Sequence, residues 1–194
     1  MTSRTTPRET AAEAGADAGT VLRTERLVLR PLVLADAARI TALADDWEVA
    51  RMTARIPFPY TLLDADAWIS SIGAGEFVRG IERDGTLIGA CGYVIDEAGV
   101  AEIGYWIGRA YWGHGFATEA ARAIVTYCFG PCGYKRLACS HFADNPASRR
   151  VIEKLGFRRI GPGIGWCEAR QSETPTVRYE QRRTWRGFLA RRAA

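Results

Sequence analysis

Residues Trp112, Gly113, His114, Gly115, Phe116 and Ala117 join a segment of strand character to one of helical character. Two glycines in such a turn let the backbone bend tightly and approach an anion with no Cβ in the way. The N–H groups and dipole at the start of the following helix then supply a field suited to phosphate or pyrophosphate. Two familiar nucleotide motifs are excluded. A dinucleotide-binding turn needs a third glycine where Thr118 stands and follows the first strand of a parallel unit, whereas this turn follows a meander. A P-loop would continue into Gly-Lys-Ser/Thr, which is absent here. A second segment opens with Asn145, Pro146, Ala147 and Ser148 and closes on Lys154, Leu155, Gly156 and Phe157, directly after another strand-like run.

Positioning these turns is the work of the flanking elements. The strand before the first turn is expected over Val100–Gly108, third in a meander whose first two strands, Glu76–Arg83 and Thr86–Ile95, are joined by the hairpin pair Asp84-Gly85. The spacing after the turn predicts a helix over Ala117–Cys128, with Ala120, Ile124 and Tyr127 inward and Gly130-Pro131 beyond its end. Arg136–Ala143 reads as a strand and Ser148–Leu155 as a helix. Upstream, Glu25–Val33 reads as the first strand and Asp36–Leu43 as a helix, while Thr61 and Asp64 form a capping signal before a helix over Ala65–Ile72. The last strands are expected at Phe157–Ile160 and Thr176–Arg182, around a glycine-rich stretch. The order β-α-α-β-β-β-α-β-α-β-β gives an α/β (α+β) fold, a mixed sheet with helices on its faces.

The 194 residues are 47% hydrophobic, enough for one core. No apolar run approaches the roughly 18 residues that cross a bilayer, so no membrane is expected as a partner. A net charge of +4 is far from the clustered excess of a nucleic-acid binder and leaves anionic small ligands as the better match. Residues 1–20 hold no Leu, Ile, Val, Phe, Trp or Tyr and are expected to be a disordered tail. The single domain is expected over 22–185, with 186–194 as a basic C-terminal tail. Five cysteines, an odd number with no secretory signal ahead of them, argue for a reducing cytoplasm over a disulfide framework.

Taken together, the turn at 112–117 and the segment 145–157 resemble the two acetyl-CoA motifs of the GCN5-related N-acetyltransferase (GNAT) superfamily. Thr24–Leu32, Glu102–Ile107 and Tyr111–Ala120 are similar to the branch that contains the bacterial ribosomal-protein N-terminal acetyltransferases. The resemblance covers residues 22–185 and implies a mostly antiparallel sheet split into a V where strands 100–108 and 136–143 diverge. Acetyl-CoA would lie in that opening like an added strand. It further implies that backbone groups of Trp106 and Ile107 bond the pantetheine arm, that Trp112, Gly113, His114, Gly115, Phe116 and Ala117 hold the pyrophosphate, and that Asn145 contacts the arm. A tyrosine that many members use to protonate the departing thiolate falls at Ile152, and the branch suggests Ser148 as its substitute. Glu102, mid-strand beside the V, is the candidate base for the incoming amine, where partial burial would raise its pKa.

Each assignment has a blander counterpart. Glu102 also fits an ordinary exposed strand glutamate, and Ser148 a helix N-cap. Cys128, Cys132, Cys139 and His141 could be assembled into a zinc site, although no paired Cys-x-x-Cys spacing accompanies them, and no metal is expected. The C-terminal stretch 178–194 has six arginines against Glu180, the feature that supports a ribosome- or RNA-associated module as the non-enzymatic reading. The implied acceptor is an amine, either a protein N-terminus or a small molecule such as a polyamine or antibiotic. A homodimer is left open.

Overall fold

The computed structural model describes residues 19–73, 75–96 and 98–183. Residues 1–18 of the tail expected over 1–20, and the basic tail over 186–194, lie outside the described residues. Eight strands form one sheet in the order β1-β2-β3-β4-β5-β6-β8-β7. They are β1 (Leu22–Arg23), β2 (Val28–Arg30), β3 (Glu76–Arg83), β4 (Thr86–Ile95), β5 (Ala101–Ile107), β6 (Arg136–Phe142), β7 (Arg158–Cys167) and β8 (Ser172–Arg182). The helices are α1 (Ala37–Ala44), α2 (Trp47–Ala50), α3 (Leu62–Ser71), α4 (Phe116–Phe129) and α5 (Pro146–Lys154).

The sheet is antiparallel except at one junction, and helices cover both faces as expected. On one face α4 and α5 close a core that includes Phe77, Ile81, Ile103, Phe116, Ile124, Leu137 and Ile152. On the other face α1 to α3 bury Ile40, Val49, Tyr60, Ala65 and Leu87. In α4 the buried positions Ala120, Ala121, Ile124, Val125 and Cys128 recur at helical spacing, and Gly130 caps the end. The β3–β4 hairpin turns on Asp84 and Gly85, whose φ angles of 49° and 76° suit the two central positions of a hairpin turn.

Two elements differ from the sequence reading. Of the strand expected over 25–33 only β2 is strand, and it pairs back on β1, which precedes that range, because the Thr24 hydroxyl accepts from the Leu27 amide and closes a tight turn between them. The glycine-rich stretch after Ile160 is strand as well. A Cβ at Gly163 would lie 2.8 Å from Thr176 Oγ1 and 3.1 Å from Arg178 Cδ, so these β8 side chains cross where only glycine leaves room.

The N-terminal boundary also moves. The guanidinium of Arg79, only 4% exposed, donates from Nε to the Thr20 carbonyl at 2.7 Å and covers the Phe77 ring. A chain starting at Val21 loses that acceptor, whereas one starting at Gly19 keeps it. The shorter chain is expected to be less stable by about 1–3 kcal/mol in a denaturant titration, the usual cost of stripping a partner from a buried polar group.

A second charged contact ties β2 to α1. Arg30 reaches both carboxylate oxygens of Asp36 at 2.8 Å and also pairs with Glu82. The Arg30 hydrogen bonds hold the Asp36 carboxyl below its usual range, although burial pushes the other way. A depressed folded-state pKa contributes stability above the unfolded value near 3.9 and loses it as pH falls through the folded value. Asp36→Ala is therefore expected to cost on the order of 3 kcal/mol at pH 7, with the gap to wild type narrowing below about pH 4 in melts run across that range.

The one parallel junction, between β5 and β6, spans only Ala101/Leu137, Glu102/Ala138 and Ile103/Cys139. Beyond it β5 continues to Ile107 on β4, and β6 to Phe142 on β8. The sheet therefore splits beyond Ile103 and Cys139, at the ends of the strands that lead into α4 and α5.

Candidate active site

Antiparallel pairing directs alternate backbone groups to opposite edges of a strand. The Gly108 amide donates to Ile88 of β4, so by alternation Trp106 and Gly104 also commit their N–H and C=O groups to β4. Tyr105 and Ile107 turn theirs to the opposite edge, toward the opening. Ile103 confirms the direction, because its carbonyl faces β6 and accepts from the Cys139 thiol at 3.3 Å. This corrects the expectation for Trp106, whose backbone belongs to the β4 ladder and whose indole packs against the α1–α3 core beside Trp68. Tyr105 takes its place on the open edge. The sequence carried that signal, since edge groups recur every second residue and Ile107 already fixed the parity.

At the far end of the opening, Gly113 and Gly115 adopt φ of 80° and 81°, and Gly115 is the N-cap residue of α4 with no side chain capping the helix. The first amides of α4 are therefore free of a side-chain cap and point outward. Arg26 braces the turn from β2's side, donating to the His114 carbonyl at 3.1 Å and pairing with Glu119 at 2.6 Å. His114 stacks on Phe116, and Phe116 is 2% exposed, so only its backbone faces the turn. Trp112 turns its indole back to donate to the Ile107 carbonyl at 2.6 Å, while the Ile107 amide has no such partner among the described residues.

Glu102 and Ser148 lie on opposite faces of the sheet. Glu102 shares a face with Trp106, is exposed, and accepts from Ser140 of β6 at 2.7 Å. The partial burial expected of it is absent. Beside Ser140, on the same face, Met52, Ala54, Phe142, Gly165, Trp166 and Thr176 line an open cleft of about 160 Å³. On the other face Ser148 lies in the first turn of α5, but it is not the cap: the Asn145 carboxamide oxygen accepts from the Ser148 amide at 3.0 Å. The cap reading of Ser148 is thus replaced by Asn145, whose carboxamide nitrogen has no partner among the described residues. Ile152 is fully buried. The Ser148 hydroxyl instead meets a phenol from another strand, Tyr105 Oη at 2.9 Å.

Two side chains of the alternative zinc arrangement, Cys139 and His141, are engaged elsewhere. Cys139 bonds Ile103, and both nitrogens of His141 have partners, the Phe142 carbonyl at 2.7 Å and the Tyr179 hydroxyl at 3.2 Å. Burial pushes the Cys128 and Cys139 thiols up, away from the thiolate that a metal would need.

A split sheet with a glycine turn at one end is a construction shared with known proteins. The family model for the acetyltransferase (GNAT) domain matches residues 26–158. The chain belongs to the GNAT family. This acetyltransferase is 34% identical over 149 residues to the uncharacterized N-acetyltransferase p20 of Bacillus licheniformis, covering 72% of this chain and 83% of that one. Among solved structures, the ribosomal L7/L12 α-N-protein acetyltransferase RimL, in complex with coenzyme A, superposes with a TM-score of 0.74 at 15% identity, covering 84% of this acetyltransferase and 98% of RimL. The microcin C7 self-immunity acetyltransferase MccE, solved with acetyl-CoA and AMP, gives 0.72 at 19% identity, covering 88% and 97%. The two superpositions show the shared fold. Among the described residues no helix is long and apolar enough to cross a membrane.

Proposed function

We propose that acetyl-CoA is the acyl donor, that its pantetheine arm lies as an added strand between β5 and β6, and that the acceptor is a primary amine, first of all a protein N-terminus. The observation that carries this reading is the loss of β5–β6 pairing beyond Ile103 and Cys139, which leaves the Tyr105 and Ile107 edge facing an opening that leads to the turn at 113–117. Two amide edges facing a gap are an incomplete ladder, and an extended amide chain completes it. For Ile107 the Trp112 indole must swing away before its carbonyl can accept from the arm. RimL is named for an α-amino acceptor on a ribosomal protein and was solved with coenzyme A, which supports both halves of the proposal.

The placement of Glu102 and Ser148 fits direct transfer. With the thioester in the split, the amine arrives on the Glu102 face, where the cleft beside Ser140 is open. The carboxylate takes the amine proton, directly or through water, and passes it to solvent. As the carbon–sulfur bond breaks on the other side, Ser148 gives a proton to the thiolate. A small-amine acceptor is the second reading, favoured by the open cleft itself.

The test is a thiol-release assay with acetyl-CoA and a panel of peptides, polyamines and aminoglycosides, each product checked by mass spectrometry. Amine-dependent thiol release with one acetyl group gained on a peptide α-amine is the expected result. Gain on a small amine alone would move the assignment to the second reading, and no acceptor-dependent release from any member would count against acetyl transfer to these amines.

A further inference from the structure

We infer that Tyr105 is a positioning residue for the leaving-group proton, holding the Ser148 hydroxyl so that its hydrogen points into the split. The inference rests on the proposed role of Ser148 as acid. Its observations are independent of the family pattern, because the tyrosine that many members place on the helix is Ile152 here, fully buried in the core.

The geometry is a three-point contact. Tyr105 Oη lies 2.9 Å from Ser148 Oγ and donates to the Ser148 backbone carbonyl at 3.3 Å, while the Ser148 amide is held by Asn145 at 3.0 Å. The first turn of α5 is thus fixed at its amide by its own cap and at its carbonyl and hydroxyl by β5. When the phenol hydrogen is shared between Ser148 Oγ and the carbonyl, the serine oxygen is an acceptor toward Tyr105. Its own hydrogen is then free for the sulfur. Without the phenol, the serine hydrogen is free to turn to a nearby backbone carbonyl, as hydroxyls in a first helical turn commonly do.

Tyr105 acts as a donor and does not ionise. Burial pushes its phenol well above the ordinary tyrosine value and the neighbouring Cys139 adds to that, outweighing the Ser148 hydrogen bond that pulls it down. A neutral phenol stabilises the charge that builds on Ser148 Oγ as its proton leaves. In the balanced step the carbon–sulfur bond breaks with its electron pair going to sulfur, the proton moves from Ser148 Oγ to sulfur, and Ser148 regains a proton from water. Tyr105 keeps its own throughout. No oxidant or further reactant is needed. The phenol also sits on the residue whose backbone faces the opening, so a shift of β5 moves the edge amide and the proton donor together.

A double-mutant cycle over Tyr105→Phe and Ser148→Ala tests this, reading kcat, KM for acetyl-CoA and the melting temperature in all four proteins. Tyr105→Phe keeps the ring and its packing. The expected result is a fall in kcat of about tenfold with KM for acetyl-CoA within about twofold, a larger fall for Ser148→Ala, and no further loss when Tyr105→Phe is added to Ser148→Ala. A loss from Tyr105→Phe that is equally large in both backgrounds, or no loss beside a clear one for Ser148→Ala, would overturn the role of Tyr105 and leave that of Ser148 intact. Unchanged kcat in Ser148→Ala would remove the acid itself, and with it this inference.

Discussion

Replacing Glu102 by Gln is expected to lower turnover by about 10²-fold or more while coenzyme A binding stays within about twofold. The amide preserves the shape and the acceptor oxygen for Ser140, 2.7 Å away on β6, so the split should keep its width. What disappears is the only group in that contact able to take a proton from an ammonium. Because Glu102 is exposed, water reaches the same place, and the residual rate measures how far a water chain replaces the carboxylate. Calorimetric titration with coenzyme A beside steady-state kinetics separates the two quantities. Full turnover with an acceptor that the wild type uses well would assign proton removal to another group.

Gly115→Val is the second large effect. With φ at 81°, a β-branched residue at the cap of α4 is strained by about 1–3 kcal/mol, so the melting temperature without ligand should fall. A ligand that binds only the folded protein stabilises it by about 2.7 kcal/mol at 100 times its Kd, and this increment should vanish in the variant because the new side chain occupies the space in front of the α4 amides. Gly113→Val should behave alike for a narrower reason. Nothing of the protein lies within 4 Å of a Cβ there, so the chain tolerates the volume and the effect reports on φ and on the space the anion needs. An unchanged coenzyme A increment in both variants would detach the turn from phosphate binding.

What the sequence made legible follows from the range of the forces involved. The Asp84-Gly85 hairpin and the α4 helix are set by residues in contact along the chain, and both stand where pattern placed them. The split between β5 and β6 became legible only through resemblance, since the absence of pairing beyond Ile103 depends on where two distant strands lead. The part of β7 beyond the strand expected over Phe157–Ile160 was hidden because Gly163 and Gly165 answer to Thr176 and Arg178 across the hairpin, a requirement that no local propensity expresses. The resemblance implied backbone contacts from both Trp106 and Ile107, but neighbouring residues of a strand face opposite edges, and ladder parity with Ile88 and Ala90 of β4 commits Trp106 to the paired one. Ser148 and Tyr105 are 43 residues apart in sequence, and their contact needs the whole β5–α4–β6–α5 unit to form. Asn145 was legible as an important residue, although its visible work here is to cap α5.

Hydrogen exchange of individual β5 amides, followed by NMR with and without coenzyme A, tests the added-strand arrangement most directly. The Tyr105 and Ile107 amides face the opening, whereas those of Gly104 and Trp106 already lie in the β4 ladder. At a coenzyme A concentration of 100 times Kd, exchange at Tyr105 and Ile107 should slow by up to about 100-fold, with a smaller change at Gly104 and Trp106. Binding that leaves Tyr105 and Ile107 exchanging at their free rates, with protection appearing elsewhere, would contradict the account.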